Sequence, residues 1–252
     1  MIPSHPQFDY DAVFEVDDHM YFYGDSLTDE RSDAEVAGLV HIARLDSPLR
    51  ILDVPCGFGR HANRLSALGH HLTGVDLYPG FLDLARRDAS ARGVQVDFRQ
   101  ADMRHLDFNA QFDRVFMLFT SFGYFEDEDN FRVLENVACA LAPGGLFILD
   151  IPNRDTFLKN MPSVVVTEKN GDLLIDRGSF DTLTGRWFNR RIAIRNGVRK
   201  DKPFFVRLFN PSEIHDWLAR AGMDVDQMYG GYDVQPVSVD SRRMIVVAKR
   251  SA

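Results

Sequence analysis

The sequence predicts an α/β fold in which helices cover both faces of a parallel sheet. Short apolar segments alternate with segments of helical apolar spacing between residues 50 and 153. A glycine-rich turn from Pro55 to Gly59 follows the first predicted strand and precedes the first predicted helix. The apolar segment 113–119 is typical of a strand that is buried on both faces. Together these observations favour repeated strand–helix–strand units.

Five strands and the helices between them are expected in this part of the chain. Gly69 and Gly93 are expected to end two helices, because glycine readily adopts the left-handed conformation at a helix C-terminus. The Pro143-Gly144-Gly145 sequence is expected to end a third. The predicted strands are residues 50–54, 71–76, 94–99, 113–119 and 146–151, and the predicted helices follow Gly59 or begin at Pro79 and Asp127.

The pattern changes on both sides of this core. Residues 1–44 predict a loop or short helix followed by one covering helix, and residues 163–209 predict antiparallel hairpins. The turn signals of the hairpins are Asn170-Gly171, Thr184-Gly185 and Asn196-Gly197. A helix at 211–221 and two strands at 224–229 and 244–249 complete the prediction.

Composition indicates an ordinary globular protein rather than a fibrous, disulfide-rich or disordered one. The chain has 29 basic and 37 acidic residues, a net charge of −8, which argues against a nucleic-acid partner. The sequence contains no apolar segment of membrane-spanning length and no signal-peptide pattern, and its two cysteines have no metal-site spacing. We therefore expect a cytoplasmic protein with no metal and no membrane partner.

The glycine-rich turn fits two classes of cofactor. Gly57, Gly59 and Ala62 match the dinucleotide fingerprint G-x-G-x-x-G/A, and Asp76 follows at the distance expected for a ribose contact. The carboxylate of Asp53, four residues before the first glycine, would repel the pyrophosphate of such a cofactor. It would instead favour a ligand that carries an ammonium group.

The segment Asp53 to Gly59 resembles the first motif, D/E-x-x-x-G-x-G, of the class I methyltransferases that use S-adenosyl-L-methionine (SAM). Asp76, the pair Asp102-Met103 and the pair Leu118-Phe119 match later motifs of that family in order. Pro55 departs from the glycine common at its position, and this departure leaves the expected binding unchanged. The resemblance covers residues 50–153 and 206–250, and it implies a Rossmann-like, seven-stranded sheet with an antiparallel last strand.

The resemblance, together with the change of pattern on both sides of it, predicts a division of the single domain 1–252. Residues 1–44 would form a cap or lid, and residues 45–153 the cofactor-binding core. Residues 154–209 would form an antiparallel β insert on the acceptor side, and residues 210–252 the last helix and strands of the core. The aromatic cluster Tyr21 to Tyr23 can be interpreted either as core packing or as part of the lid.

The main cofactor-binding residues follow from the same resemblance, whereas the acceptor pocket and the general-base candidates are predicted from position and residue type. Asp76 is expected to accept hydrogen bonds from both ribose hydroxyls of SAM, and Asp102 one from the adenine amino group. The catalytic residues stay open, with His19, Tyr21, Tyr23 and His215 as candidates for a general base. The expected acceptor pocket contains Tyr21, Phe122 and Tyr124. The expected cofactor-binding residues are Asp53, Pro55, Cys56, Gly57, Gly59, Arg60, Asp76, Leu77, Asp102, Met103, Leu118, Phe119 and Tyr23.

The predicted activity is methyl transfer from SAM to a small-molecule acceptor, with S-adenosyl-L-homocysteine (SAH) as the product. The acceptor and its accepting atom (N, O or C) stay open, as does a homodimer. Two alternatives are a SAM-binding protein without catalysis and an NAD-dependent oxidoreductase that uses the same glycine-rich loop.

Overall fold

A seven-stranded, mostly parallel sheet is the central element of the protein. The computed structural model describes residues 8–251, so the first seven residues of the predicted cap and Ala252 lie outside the described residues. The strands of this sheet are β1 (Arg50–Asp53), β2 (His71–Asp76), β3 (Val96–Gln100), β4 (Phe112–Met117), β5 (Leu141–Pro152), β10 (Met223–Tyr229) and β11 (Arg243–Arg250). Their spatial order is β10-β11-β5-β4-β1-β2-β3, and only β11 runs antiparallel to its neighbours. The predicted fold class is therefore confirmed.

Helices cover both faces of this sheet because alternate strand residues point to opposite sides. In β1, Ile51 packs with the cluster that contains Leu39 and Leu65, whereas Leu52 packs with the cluster that contains Leu134 and Leu218. Each such buried side chain stabilises the fold by roughly 1.5–3 kcal/mol. The helices are α1 (Tyr10–Val13), α2 (Val16–Tyr23), α3 (Asp29–Ile42), α4 (Ala62–Ala67), α5 (Pro79–Arg92), α6 (Asp127–Ala140), α7 (Arg154–Asn160) and α8 (Pro211–Arg220).

The predicted β insert forms a separate antiparallel sheet of four strands. These strands are β6 (Val164–Lys169), β7 (Asp172–Asp181), β8 (Arg186–Arg195) and β9 (Val198–Arg207), paired in chain order. Asn170-Gly171 and Asn196-Gly197 join two of its hairpins, and all four residues have φ between 52° and 83°. Two successive positive φ angles are what a tight two-residue hairpin turn requires, which explains the Asn-Gly pairs.

Several predicted elements and boundaries were wrong, among them the following three. The N-terminal part contains two short helices, α1 and α2, before α3, where one loop or short helix was expected. β4 ends at Met117 instead of residue 119, because Phe119 and Thr120 take φ angles of 59° and 60° that leave the strand conformation. β5 begins at Leu141, which pairs with Phe112 ahead of the Pro-Gly-Gly irregularity.

Ion pairs of the buried Lys202 attach the helix α2 to the second sheet. Lys202 on β9 is 2% exposed, and its Nζ lies 2.6 Å from Asp18 and 2.8 Å from Glu15. Phe22 on the same helix packs with Leu174 and other residues of the second sheet. This attachment fixes the helix that carries three predicted site residues, His19, Tyr21 and Tyr23. Within residues 8–251, no helix combines the length and apolar character needed to cross a membrane.

Candidate active site

A cavity of about 410 Å³ lies at the carboxyl ends of the central strands. Asp53 at the end of β1, Asp76 at the end of β2 and Leu118 just after β4 line it. Ligands of open α/β sheets bind at this edge, and the volume is within the range of small-molecule sites. Residues of α2 and of the second sheet line the same cavity, so three parts of the chain meet there.

Asp53 is a buried carboxylate with an unused oxygen. The residue is 2% exposed, and its Oδ2 atom has no hydrogen-bond partner among the described residues. Burial raises the pKa of Asp53 to about 7; the positive charge of Arg60 opposes the rise, and the negative charge of Asp76 adds to it. A buried acceptor without a donor is costly. The site is therefore suited to a ligand that brings a cationic donor.

Arg60 is a buried guanidinium with an unused donor, which complements the unused acceptor of Asp53. It is 6% exposed, and its Nη1 atom donates to Glu35 and, at 3.3 Å, to the Ser32 hydroxyl. Its Nη2 atom is buried and has no partner among the described residues. An unpaired guanidinium nitrogen in the same cavity as the unpaired Asp53 oxygen suits a ligand with both a carboxylate and an ammonium.

Glu35 on α3 holds Arg60 in place. Its carboxylate also accepts from Arg31 Nε and contacts His61 Nε2, both at 2.9 Å. Burial opposes ionisation, but the hydrogen bond of His61, the charge of Arg60 and the hydrogen bond of Arg31 lower the pKa of Glu35 to about 2. Burial lowers the pKa of His61 to about 4, so this imidazole is neutral at pH 7 and donates to Glu35.

Asp76 organises the glycine-rich loop from the neighbouring strand. Its carboxylate accepts from the backbone N–H of Gly57 at 2.8 Å and of Tyr78 at 3.0 Å. Burial raises its pKa, although these backbone hydrogen bonds counteract the rise. Each carboxylate oxygen accepts more than one hydrogen bond, so Asp76 keeps capacity for hydroxyl groups of a ligand. Gly57 has a φ of 53°, which glycine adopts without strain.

Asp102 accepts hydrogen bonds from Arg104, two residues later in the chain. The Arg104 backbone N–H donates to Asp102 at 2.8 Å, and the guanidinium Nε lies 3.0 Å from the second carboxylate oxygen. Burial raises the pKa of Asp102, but these hydrogen bonds outweigh it and the net shift is downward. The Arg104 guanidinium also lies over the ring of Phe125, 4.5 Å from its centroid. A ligand that uses Asp102 must share it with Arg104.

Aromatic and neutral groups form the end of the cavity nearest the second sheet. Burial raises the pKa of Tyr124 to about 12, and burial together with the charge of Arg191 lowers the pKa of His19 to about 4. Tyr23 also lines this end, and burial raises its pKa. Arg191 on β8 donates to Asp176 at 2.7 Å and lies 4.7 Å from the ring centroid of Phe204.

Most of the predicted site residues meet in this cavity. Gly59 does not line it. A Cβ at this position would lie 2.8 Å from the Cβ of Ala85, so the missing side chain allows α5 to pack closely against the glycine-rich turn. The residues that do line it are His19, Tyr23, Asp53, Pro55, Cys56, Gly57, Arg60, Asp76, Leu77, Asp102, Met103, Leu118, Phe119 and Tyr124.

Three other predicted residues lie elsewhere. Tyr21 donates to the Lys169 carbonyl and stacks edge-on against Phe22, outside the cavity lining. Phe122 is 2% exposed and stacks on Phe209 in the core. His215 is on α8 and is also absent from the lining. These three residues are therefore withdrawn as acceptor-pocket or general-base candidates.

Sequence reasoning missed several groups that the fold brings to the cavity. Arg191 and Phe204 come from the second sheet, and Arg243 comes from the start of the last strand. Glu35 approaches from α3 through its bond to Arg60. None of them has a spacing signal, because each lies in an ordinary strand or helix pattern far along the chain.

Comparison with known proteins identifies the family. Residues 51–145 match the family described as "Methyltransferase domain". The dTDP-4-amino-2,3,4,6-tetradeoxy-D-glucose N,N-dimethyltransferase of Saccharopolyspora spinosa is 30% identical over 207 residues, 78% of this chain and 79% of that protein. The chain belongs to the class I SAM-dependent methyltransferases. SAM is accordingly the cofactor of this methyltransferase.

Solved structures show the same fold as this methyltransferase. A SAM-dependent methyltransferase from Clostridium acetobutylicum is 17% identical with a TM-score of 0.79, and the match covers 94% of this chain and 98% of that one. The sugar N-methyltransferase KedS8 from Streptoalloteichus sp. is 26% identical with a TM-score of 0.70, and the match covers 100% of this chain and 99% of that one.

Proposed function

We propose that this methyltransferase transfers the methyl group of SAM to an amine nitrogen of a small-molecule acceptor. The observation that carries the cofactor's placement is the pair of unpaired buried atoms, Asp53 Oδ2 and Arg60 Nη2. They fit the two charges of an amino-acid group, so Asp53 would bind the ammonium and Arg60 the carboxylate of the methionine part. Asp76 would then bind the ribose and Asp102 the adenine amino group.

Bound SAM supplies a methyl group that its sulfonium has already activated for attack by a nucleophile. The protein's part is to align the acceptor with that methyl group and to exclude water, which can be worth roughly 7–11 kcal/mol. Arg60, Asp53 and Asp76 fix one end of the cavity, while Tyr23, Tyr124 and Phe204 enclose the other. Their rings exclude water from the reacting space.

The pKa values of the side chains at the acceptor end favour an amine nitrogen over a hydroxyl as the methyl acceptor. Efficient general bases have a pKa near the working pH, whereas His19 has a pKa of about 4 and Tyr124 one of about 12. A hydroxyl acceptor needs a base to remove its proton, but an amine that arrives neutral already offers a lone pair. The S. spinosa relative and KedS8 are both named for N-methylation of a sugar, which supports a hydroxylated amine as the acceptor.

Neither of the alternatives from the sequence is favoured. An NAD-dependent enzyme would place its pyrophosphate beside the buried carboxylate of Asp53, where the charges repel. We expect SAH to raise the melting temperature and NAD to leave it unchanged. At about 100 times its dissociation constant, SAH should stabilise the protein by about 2.7 kcal/mol. A shift with NAD and none with SAH in a thermal-denaturation assay would reject the proposed function.

Arg191 offers a test of the proposed acceptor end. Arg191→Lys keeps the charge but loses the planar group that contacts Asp176 through two nitrogens. With an amino sugar selected from a panel by transfer of labelled methyl groups, KM should rise about tenfold while the Kd for SAH stays within about twofold. Arg177→Lys on β7 is the matched control, and it should leave both constants unchanged. Equal KM values for Arg191→Lys and the wild type would place the acceptor elsewhere.

A further inference from the structure

The chain leaves β4 through two consecutive residues in the left-handed conformation. Phe119 and Thr120 have φ angles of 59° and 60°, and neither residue is glycine. Side chains with a Cβ pay an energetic penalty in this region, and bulky or branched ones are true outliers there. Both residues line the cofactor cavity. The surrounding structure must therefore impose this conformation at the edge where the chemistry takes place.

Asp150, near the end of β5, supplies two of the restraints. Its Oδ2 atom accepts the backbone N–H of Phe119 at 2.9 Å, and its backbone carbonyl accepts that of Thr120 at 3.0 Å. The residue is 1% exposed. The side chain and the backbone of one buried aspartate thus bind both left-handed residues.

Arg243 and Tyr232 complete the arrangement around Asp150. Arg243 Nε donates to Asp150 Oδ1 at 2.7 Å, and its Nη1 donates to the Thr120 hydroxyl at 2.7 Å. The Tyr232 hydroxyl donates to Asp150 Oδ2 at 2.9 Å. Asp150 therefore has charge-assisted or hydroxyl donors on both oxygens, which fixes the carboxylate that holds Phe119.

This conformation places the Phe119 ring on Arg60. The Arg60 guanidinium lies 4.9 Å and the Arg31 guanidinium 5.2 Å from the centroid of that ring. A cation on an aromatic face is attracted by the ring quadrupole, so the ring helps fix where the unpaired Arg60 Nη2 points.

We propose that Asp150, assisted by Arg243 and Tyr232, is a positioning residue that holds Phe119 and Thr120 left-handed and so aligns Arg60 for the cofactor. The proposal rests on the proposed placement of the methionine part of SAM. It assigns to residues near the ends of β5 and β11 the task of aligning Arg60, which the motif residues of β1 and β2 do not perform.

The test uses glycine to remove the conformational penalty. Asp150→Asn should raise the Kd for SAH about tenfold, measured by calorimetric titration. Asp150→Asn weakens the hold on Phe119 and leaves the backbone contact to Thr120 in place. Adding Thr120→Gly should restore part of the loss, because glycine takes a positive φ without strain and the two-residue turn then needs less restraint. Adding Thr120→Ala is the matched control: it removes the same hydroxyl but keeps the Cβ, so it should not restore binding.

The outcomes separate the inference from the proposed function. Wild-type protein that fails to bind SAH would reject both. Wild type and Asp150→Asn with equal SAH affinity, or equal effects of glycine and alanine at position 120, would overturn the positioning role alone. If Asp150→Asn does not fold, Tyr232→Phe, which removes one hydroxyl donor, carries the same glycine–alanine comparison.

Discussion

Asp53→Asn is expected to raise the Kd for SAH about a hundredfold and to remove its dependence on pH. A charge-assisted hydrogen bond in a buried site contributes roughly 1.5–3 kcal/mol, which corresponds to about tenfold to more than a hundredfold in affinity. The substituted asparagine would keep the shape of the side chain but would carry no negative charge to pair with an ammonium group. Calorimetric titration with SAH at pH 8 measures the loss.

The pH dependence follows from the pKa of Asp53, about 7 in the free protein. Only the ionised carboxylate pairs with the ammonium, so the wild-type Kd should improve about tenfold between pH 6 and pH 8. Asp53→Asn should show a flat profile over this range. Asp83→Asn, which removes an exposed surface charge, is the matched control and should keep the wild-type slope. A flat wild-type profile would contradict the assignment of Asp53.

The raised pKa of Asp53 also predicts how the stability of the unliganded protein depends on pH. The pKa of Asp53 is higher in the folded state than in the unfolded state, so its contribution to stability is full at low pH. That contribution is lost as the pH rises through about 7. Asp53→Asn should therefore melt at a higher temperature than the wild type at pH 8 without ligand, whereas a lower melting temperature would contradict the burial argument.

Asp76→Ala is expected to weaken SAH binding more than Asp102→Ala does. Two ribose hydroxyls would donate to Asp76, whereas one adenine amino group would share Asp102 with Arg104. Estimating each charged hydrogen bond at roughly 1.5–3 kcal/mol, we expect a loss of about a hundredfold for Asp76→Ala and about tenfold for Asp102→Ala. Calorimetric titration of both variants gives the comparison.

The structure changes how the Asp76 variant must be controlled. The sequence places this side chain at the solvent side of the crevice, but it is 5% exposed and accepts the backbone N–H of Gly57. Asp76→Ala therefore also loosens the glycine-rich loop. Asp76→Asn keeps one acceptor oxygen for the backbone N–H of Gly57, although not a second one for Tyr78, so it disturbs the loop less than Asp76→Ala does. Equal SAH affinity for the wild type and both Asp76 variants would mean that the ribose is bound elsewhere.

Local sequence signals were sufficient for the parallel core and the first half of the site. Strand and helix periods differ, so the alternation between residues 50 and 153 could be read without any tertiary information. Asp53, Gly57 and Asp76 were predicted from the glycine-rich loop and the methyltransferase motifs, and they line one cavity because parallel strands bring the ends of β1 and β2 to one edge. Asn-Gly pairs likewise predicted two hairpins of the second sheet.

Only the tertiary structure decided which of the remaining candidates face the cavity. Tyr21 and Tyr23 are two residues apart on one helix, and a helical rotation of about 200° separates them. Tyr23 therefore lines the cavity, whereas Tyr21 contacts Lys169 of the second sheet. The helix period gives this separation, but it does not indicate which side faces the ligand, because the sheet that packs on α2 is formed more than a hundred residues later.

The sequence pattern also does not predict the charged network that Asp150 and Arg243 form beside the site. Asp150 and Arg243 are 93 residues apart, and they meet because β5 and β11 pair antiparallel. The sequence determined which residue types were available and the order of the strands and helices in the core. Burial and long-range pairing determined which carboxylates stay unpaired and which hold the backbone, because the electrostatic environment of a side chain is set by neighbours from distant parts of the chain.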